Sequence, residues 1–71
     1  MKELLAFIKF LRDNNVMNFN PNNHNHRMKL QKYVFIAKFL GLNVPYEYNI
    51  YMHGPYSREL AEDYYKLMKK E

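Results

Sequence analysis

The sequence contains no cysteine and no tryptophan, and only two of its 71 residues are glycine. Without cysteine, the chain can form neither a disulfide nor a metal site with thiolate ligands. Two isolated glycines cannot build a glycine-rich phosphate-binding loop. The longest apolar runs, residues 4–8 and 34–37, are far shorter than the ~20 residues of a membrane span. With no signal-peptide pattern either, we predict a cytoplasmic protein without a membrane segment or a cofactor.

Length and charge define what kind of domain is expected. The chain suffices for one small domain, residues 1–71, which would bury about 60% of the surface of its unfolded form. Tight helix packing, self-association or a continuation of the domain would each compensate for this small core. Aromatic residues make up 17% of the chain and favour a folded core over disorder. The net charge of +4 permits nucleic acid as a partner but is also common in domains that only need solubility.

The first helix and the loop after it are predicted from spacing and composition. Apolar residues recur every three or four positions from Lys2 to about Asp13, and Asn14-Asn15 would end this amphipathic helix. Residues 16–26 contain an asparagine-rich run and are predicted to form a loop. Three apolar side chains can anchor that loop to the core, those of Val16, Met17 and Phe19. We interpret His24 and His26 as solvated loop residues, because a metal would need further ligands from elsewhere in the chain.

The second helix is predicted from Arg27 to Leu40. Asn25 is its expected N-cap and Gly41 its expected end. The helix is apolar enough to favour a central position, covered on more than one side. Its stripe consists of Leu30, Val34, Ala37 and Leu40, and the residues that thicken it are Phe35, Ile36 and Phe39.

A strand-like segment, a turn and the third helix complete the chain. Residues 46–51 alternate in a period of two, which predicts an extended segment that pairs with residues 16–19, pairs with another chain or lies flat on the helices. Gly54-Pro55 predicts a sharp turn, after which Ser57 can cap the last helix. The apolar stripe of that helix is Leu60, Ala61, Tyr64, Leu67 and Met68. The predicted fold is mainly α, with three helices and a short extended segment or small β-hairpin before the last one.

Catalysis has one candidate pair, His53 and Ser57, which are four positions apart near the turn. A serine that caps a helix already has its oxygen engaged, and no acidic residue obviously orients His53, Glu47 being the nearest candidate. We therefore predict no catalytic residue and no enzymatic activity.

Four positive charges on the second helix make nucleic-acid binding the alternative function. At about 100° per residue, Lys29 and Lys32 share one face, whereas Arg27 and Lys38 share a different edge. This distribution is unfavourable for a helix that reads a DNA groove. The connector before Ser57 is also longer than that of a helix-turn-helix, and a winged helix would need a full hairpin.

Tyrosines near the turn have two interpretations. They are either core rings with hydroxyls at the surface or an aromatic recognition patch of the kind enriched at protein interfaces. These residues are Tyr46, Tyr48, Tyr51 and Tyr56. As the contact surface for a protein partner we predict the turn and its neighbours: Lys32, Tyr51, His53, Tyr56 and Arg58.

Two sequence blocks stand out together. The first is residues 27–34, which contain KLQK, and the second is the tyrosine-rich segment over residues 46–60 that contains GPYS, residues 54–57. The pair resembles the phage-associated, SocA-like proteins that share the Panacea domain, with matching order and spacing over roughly residues 27–67. The resemblance implies a mostly helical fold, no enzymatic activity and a protein-binding role, as an antitoxin paired with a toxin or an adaptor that presents a client to a protease. It places Leu30, Gln31 and Lys32 in the central helix, and it makes a signature turn of Gly54, Pro55, Tyr56 and Ser57. The family's domain continues with further helices, so this chain would be a shortened form.

Overall fold

The computed structural model describes residues 2–52 and 54–68, and within them three helices and a two-stranded antiparallel sheet form the domain. Helix α1 runs over Lys2–Asp13, α2 over His24–Phe39 and α3 over Arg58–Met68. The two strands, β1 (Asn49–Tyr51) and β2 (Gly54–Tyr56), stand between α2 and α3. The predicted fold class, mainly α with a short extended segment or small β-hairpin before the last helix, is confirmed, and the hairpin is the form that is present.

Helix α1 ends where its asparagines predicted. Asn15 adopts the left-handed conformation with φ of 59°, which asparagine tolerates better than most residues. The Asn14 side-chain amide donates a hydrogen bond of 2.9 Å to the carbonyl oxygen of Phe10 and so satisfies one of the last helical acceptors. In the loop that follows, Met17 is buried and Phe19 packs against the core, as expected, whereas Val16 is exposed.

Helix α2 begins earlier than predicted. Its N-cap is Asn23, whose side-chain oxygen accepts a hydrogen bond of 3.2 Å from the backbone N–H of His26. Asn25 and His26 therefore lie inside the helix, and the predicted loop over residues 16–26 is wrong for its last three positions. The backbone N–H of Asn20 donates to Nδ1 of His26 over 3.0 Å, which fixes the loop on the first turn of the helix.

The end of α2 has the geometry of a Schellman motif. Gly41 has a positive φ of 115°, and the N–H of Leu42 donates to the carbonyl oxygen of Ala37 over 2.9 Å. Leu42 packs against the core, which supplies the apolar contact that usually accompanies this cap. The predicted glycine end of α2 is confirmed.

The prediction that α2 is covered on more than one side fails at the end of the helix. Its buried residues are Leu30, Gln31 and Val34. Phe39 and Leu40 are 84% and 78% exposed, and Ile36 is exposed as well. Among the helices and strands within residues 2–52 and 54–68, only β2 and α3 bring their backbones close to α2, while α1 contributes side chains to the same core. A short chain has too few elements to enclose an entire helix.

The hairpin, one of the two forms predicted for this part of the chain, pairs β1 with residues 54–56. Ile50 pairs with Pro55, and Tyr51 pairs with Gly54. Within the described residues, β1 therefore pairs with β2 and not with residues 16–19. The alternation predicted for residues 46–51 holds in part, because Tyr46 and Tyr48 cover the core whereas Ile50 is exposed.

Helix α3 begins and packs as predicted. The N–H of Leu60 donates to the Ser57 hydroxyl oxygen over 3.2 Å, so Ser57 is the cap. Leu60, Ala61 and Tyr64 are buried in the core, and Leu67 packs against it. The side chain of Met68 lies outside the described residues. Within the part of the chain that the structure covers, no helix has the length and apolar character needed to cross a membrane.

Candidate protein-binding groove

The side chain of Gln31 joins α2 to the start of α3. Gln31 is fully buried, and its Oε1 accepts a hydrogen bond of 2.8 Å from the backbone N–H of Ser57. Its Nε2 donates to the carbonyl oxygen of Ser57 over 2.9 Å. One amide group thus satisfies both backbone groups of a buried residue, as a neighbouring strand would. This clamp fixes the position of β2 and α3 relative to α2.

Two tyrosines surround the Gln31 clamp. The Tyr48 hydroxyl donates to the backbone carbonyl oxygen of Gln31 over 3.0 Å, and the Tyr64 hydroxyl oxygen lies 3.5 Å from Nε2. Burial raises the pKa of Tyr64 to about 12. Burial likewise raises the pKa of Tyr48 far above its ordinary value. Both rings are therefore neutral hydrogen-bonding members of the core at physiological pH.

An open groove of about 790 Å³ lies beside this junction. Three groups of residues line it, and together they define what we call the hairpin groove. From α2 come His24, Arg27, Met28 and Lys32. From the hairpin come Tyr51, Gly54, Pro55 and Tyr56. From α3 come Arg58, Tyr64 and Tyr65.

Tyrosine rings in the hairpin groove support one another. The rings of Tyr51 and Tyr56 meet edge to face, with centroids 6.0 Å apart and an angle of 78° between their planes. Tyr64 and Tyr65 form a second such pair at 5.1 Å. Tyr51 remains 55% exposed, so its ring is available to a bound molecule. Edge-to-face pairs of this kind hold aromatic side chains in place before anything binds.

The charges in the hairpin groove are all of one sign. Its cations are Arg27, Lys32 and Arg58, and no aspartate or glutamate is among the described residues that line it. The Arg27 guanidinium is fixed, because it donates to the carbonyl oxygen of Pro21 over 2.8 Å and lies 5.7 Å from the centre of the Tyr65 ring. Lys32 and Arg58 are exposed, and neither has a hydrogen-bond or ion-pair partner within residues 2–52 and 54–68.

Gly54 is required at the floor of the groove. Its φ of 104° lies in a region that other residues rarely adopt. A Cβ atom at this position would make an ordinary van der Waals contact of 3.9 Å with Cε of Lys32, so the backbone conformation and not a lack of space favours glycine here.

Four of the five residues predicted to contact a protein partner line the same groove. They are Lys32, Tyr51, Tyr56 and Arg58. The fifth, His53, lies outside the described residues. The signature turn is divided in two, because Gly54, Pro55 and Tyr56 form β2 whereas Ser57 caps α3.

The role of Gln31 was missed by sequence reasoning. Its position carried a signal, since a polar residue at position 31 stands between Leu30 and Val34 on the apolar face of α2. Such a residue has to find hydrogen-bond partners in the core. The lining residues Met28 and Tyr65 were also missed, because only the fold brings α2 and α3 to the same side of the hairpin.

The four cations predicted for nucleic-acid binding do not lie together on one surface. Arg27 and Lys32 line the hairpin groove, whereas Lys29 is exposed outside it. The ammonium of Lys38 donates a hydrogen bond to the backbone carbonyl oxygen of Tyr46. Two of the four charges, those of Arg27 and Lys38, are therefore already bound to backbone carbonyls.

The candidate catalytic serine is engaged in the helix cap. Ser57 is fully buried, and its hydroxyl oxygen accepts from the N–H of Leu60. The same hydroxyl donates to the Glu59 carboxylate over 3.2 Å. Metal-ligating side chains do not come together in threes within the described ranges. His24 and His26 both lie in the first turn of α2, and His26 uses Nδ1 to accept the N–H of Asn20.

Comparisons with known proteins add no assignment to this groove. The chain matches no protein-family model, no curated protein and no solved structure. A function therefore has to be inferred from the side chains of the groove, from their rings, their charges and their burial.

Proposed function

We propose that the protein is a non-catalytic protein-interaction module whose hairpin groove receives a segment of a partner protein. The observation that carries the proposal is the convergence of Lys32, Tyr51, Tyr56 and Arg58 on one open surface. Tyrosine and arginine are the residue types enriched at the energetic centres of protein interfaces. A groove of about 790 Å³ has room for several side chains of a partner segment.

The base of the groove supports this function by being rigid. Gln31 binds the N–H and the carbonyl of Ser57. Tyr56, which directly precedes Ser57, lines the groove. Arg27 is held over the Tyr65 ring. Side chains that are already ordered lose less conformational entropy when a partner binds, so more of the contact energy contributes to affinity.

A more specific role follows from the resemblance of the KLQK and GPYS blocks to SocA-like proteins. The partner would then be a toxin, with this protein as its antitoxin, or a client that an adaptor delivers to a protease. The structure adds a physical link between the two blocks, because Gln31 of the first binds Ser57 of the second. Both roles belong to the cytoplasm, where we propose that the protein acts. Self-association through the exposed apolar end of α2 is compatible with either role.

A nucleic-acid-binding module is the second candidate. Its support is the net charge of +4 and the exposed ammonium groups of Lys29 and Lys32. The engagement of Arg27 and Lys38 with backbone carbonyls counts against it. Titration of labelled duplex DNA at about 50 and 200 mM salt separates the candidates, because phosphate contacts release counterions and lose affinity steeply as salt rises.

The proposal is tested by selecting peptides from a random display library on the immobilised full chain. We expect enriched peptides that bind the wild type and lose binding to Tyr51→Ala, which removes an exposed ring of the groove. Phe39→Ala is the matched control, because it removes an aromatic ring that is 84% exposed outside the groove. Peptides that bind both variants equally, or no enrichment at all, would overturn the proposal.

A further inference from the structure

We infer that the partner segment in the hairpin groove is acidic, with carboxylates that meet Lys32 and Arg58 and with apolar or aromatic residues between them. This inference rests on the proposed function and specifies the chemistry of its partner. The groove collects three of the chain's 11 lysines and arginines, and none of its acidic residues is among the described residues that line it. A surface with one sign of charge selects an occupant of the opposite sign.

Two acidic residues close to the groove in sequence are engaged elsewhere. Glu59 accepts a hydrogen bond from the Ser57 hydroxyl in the helix cap. Asp63, which precedes the lining residue Tyr64, accepts the Tyr46 hydroxyl over 2.7 Å and lies 3.7 Å from the ammonium of Lys66. The exposed Glu62 is not a lining residue. No carboxylate within residues 2–52 and 54–68 lies at ion-pair distance from Lys32 or Arg58, so both cations are available to carboxylates of a partner.

The uncharged part of the groove shows what accompanies the carboxylates. Met28, Pro55 and the tyrosine rings present carbon surface between the cations. Contact with these side chains removes water from around the ion pairs, and ion pairs strengthen as their surroundings become less polar. A segment of acidic residues alone would leave this carbon surface exposed to water. An acidic segment with interspersed apolar residues fits both features.

The ring geometry favours an acidic peptide over single-stranded nucleic acid. Proteins that bind single-stranded nucleic acid stack each base on the open face of an aromatic ring, and cations contact the backbone beside these rings. Here Arg27 covers one face of Tyr65, and the rings of Tyr51 and Tyr56 meet edge to face. Lys29 and Lys38 do not extend the cationic surface, since one lies outside the groove and the other binds a backbone carbonyl.

The test measures fluorescence anisotropy of defined probes on the full chain. The probe is a short labelled peptide in which glutamates alternate with leucine, tyrosine and serine. The comparison probes are the same peptide with glutamine at every glutamate and an oligothymidine with the same number of negative charges. We expect the glutamate peptide to bind at least about tenfold more tightly than the glutamine peptide. Equal binding of the two peptides would overturn the inference, and so would tighter binding of the oligothymidine.

Charge reversal locates the binding on the protein. Lys32→Glu and Arg58→Glu should each weaken the glutamate peptide by about tenfold or more. Lys29→Glu is the matched control: it reverses an exposed charge on the same helix as Lys32 but outside the groove, and it should change affinity by no more than about twofold. A peptide with lysine at every glutamate should bind the Lys32→Glu, Arg58→Glu double variant better than it binds the wild type. Equal effects of all three single reversals would contradict a site at the groove.

The display selection separates failure of this inference from failure of the proposed function. If selected peptides depend on Tyr51 and are enriched in Asp and Glu, both stand. If they depend on Tyr51 but are neutral or basic, the inference is overturned and the protein-binding function remains. If no peptide depends on Tyr51 and the glutamate probe does not bind, both are overturned.

Discussion

Gln31 and Ser57 are 26 positions apart in the chain and are joined by two hydrogen bonds within the core. The amide of Gln31 takes the place of a neighbouring strand for the one residue that connects β2 to α3. Through this contact the central helix determines where the hairpin stands and where α3 begins. The hairpin groove lies beside this junction, so its shape depends on a single buried side chain.

Replacing Gln31 should therefore destabilise the whole domain. Gln31→Met keeps the length of the side chain but leaves the N–H of Ser57 buried without a partner. We expect a loss of about 1–3 kcal/mol in the free energy of unfolding, the cost of one unsatisfied buried group. Urea unfolding followed by circular dichroism measures it. The control Lys29→Met, on the exposed face of the same helix, should change the value by less than about 0.5 kcal/mol. Equal effects of the two substitutions would contradict the role of the clamp.

Loss of the cap at Ser57 should cost less. Ser57→Ala removes the acceptor for the N–H of Leu60 but keeps the backbone bonded to Gln31. We expect a loss of about 1 kcal/mol, which lowers the melting temperature of a domain of this size by about 4–8 °C. Arg58→Ala, at the exposed next position, serves as the control and should leave the melting temperature nearly unchanged. An unchanged melting temperature in Ser57→Ala would show that the hydroxyl has another role.

The predictions that succeeded concern signals contained within a few residues. Ser57 marks the cap by chemistry that neighbouring residues do not alter, and Gly54 has the positive φ that glycine permits, although Gly54 and Pro55 lie in β2 and not in a turn. The start of α2 was misplaced because several asparagines in residues 18–25 are equally suitable caps, and the choice of Asn23 depends on its bond to the N–H of His26. A hairpin was one of two forms predicted, but its second strand was not located, because β2 has only three residues, one of them Pro55, and shows no alternation.

The residues of the candidate site likewise divide into those that local sequence signals predict and those that only the fold brings together. Tyr51, Tyr56 and Arg58 are close in sequence to the turn, so they were predicted together. Gln31 lies within the helix predicted from Arg27 to Leu40, but its partner could not be predicted, because a contact across 26 positions is determined by the fold. The exposure of Phe39 and Leu40 was not predicted for a related reason. Periodicity identifies an apolar face, but it does not show whether another element covers it.

The hydrogen bond between Tyr46 and Asp63 should contribute to the stability of α3. The Tyr46 hydroxyl donates to the Asp63 carboxylate over 2.7 Å and links the segment before β1 to the last helix. Tyr46→Phe should lower the free energy of unfolding by about 1.5–3 kcal/mol, as expected for a hydrogen bond to a charged group. Tyr33→Phe is the matched control, because no partner for its hydroxyl is found in the part of the chain that the structure describes. A Tyr46→Phe protein as stable as Tyr33→Phe would contradict this contribution.

High pH should unfold the domain through its buried tyrosines. Burial raises the pKa of Tyr46, Tyr48 and Tyr64, in the last case to about 12. In the unfolded chain each titrates near pH 10, so only the unfolded state loses these protons just above that pH. Stability should be unaffected by these groups below about pH 10 and should fall as pH rises toward the folded values. Tyrosinate absorbance and helix content, followed together, measure this.

A single substitution tests whether a buried tyrosine causes the loss of stability at high pH. Tyr48→Phe should make stability fall less steeply between about pH 10 and 12, because one group no longer titrates in the unfolded state alone. Phe39→Leu, at an exposed position without a titrating group, should leave the steepness unchanged. If all seven tyrosines of the wild type ionised near pH 10 without loss of helix, the burial argument would be wrong.

One measurement tests directly whether the glutamate peptide binds in the hairpin groove. Amide chemical-shift changes are mapped on isotope-labelled protein during titration with that peptide. We expect the largest changes at Tyr51, Gly54, Tyr56 and Arg58, with Lys32 affected and Lys29 and Phe39 unaffected. Changes centred on Lys29 or on the exposed end of α2 at Phe39, without changes in the hairpin, would contradict binding in the hairpin groove.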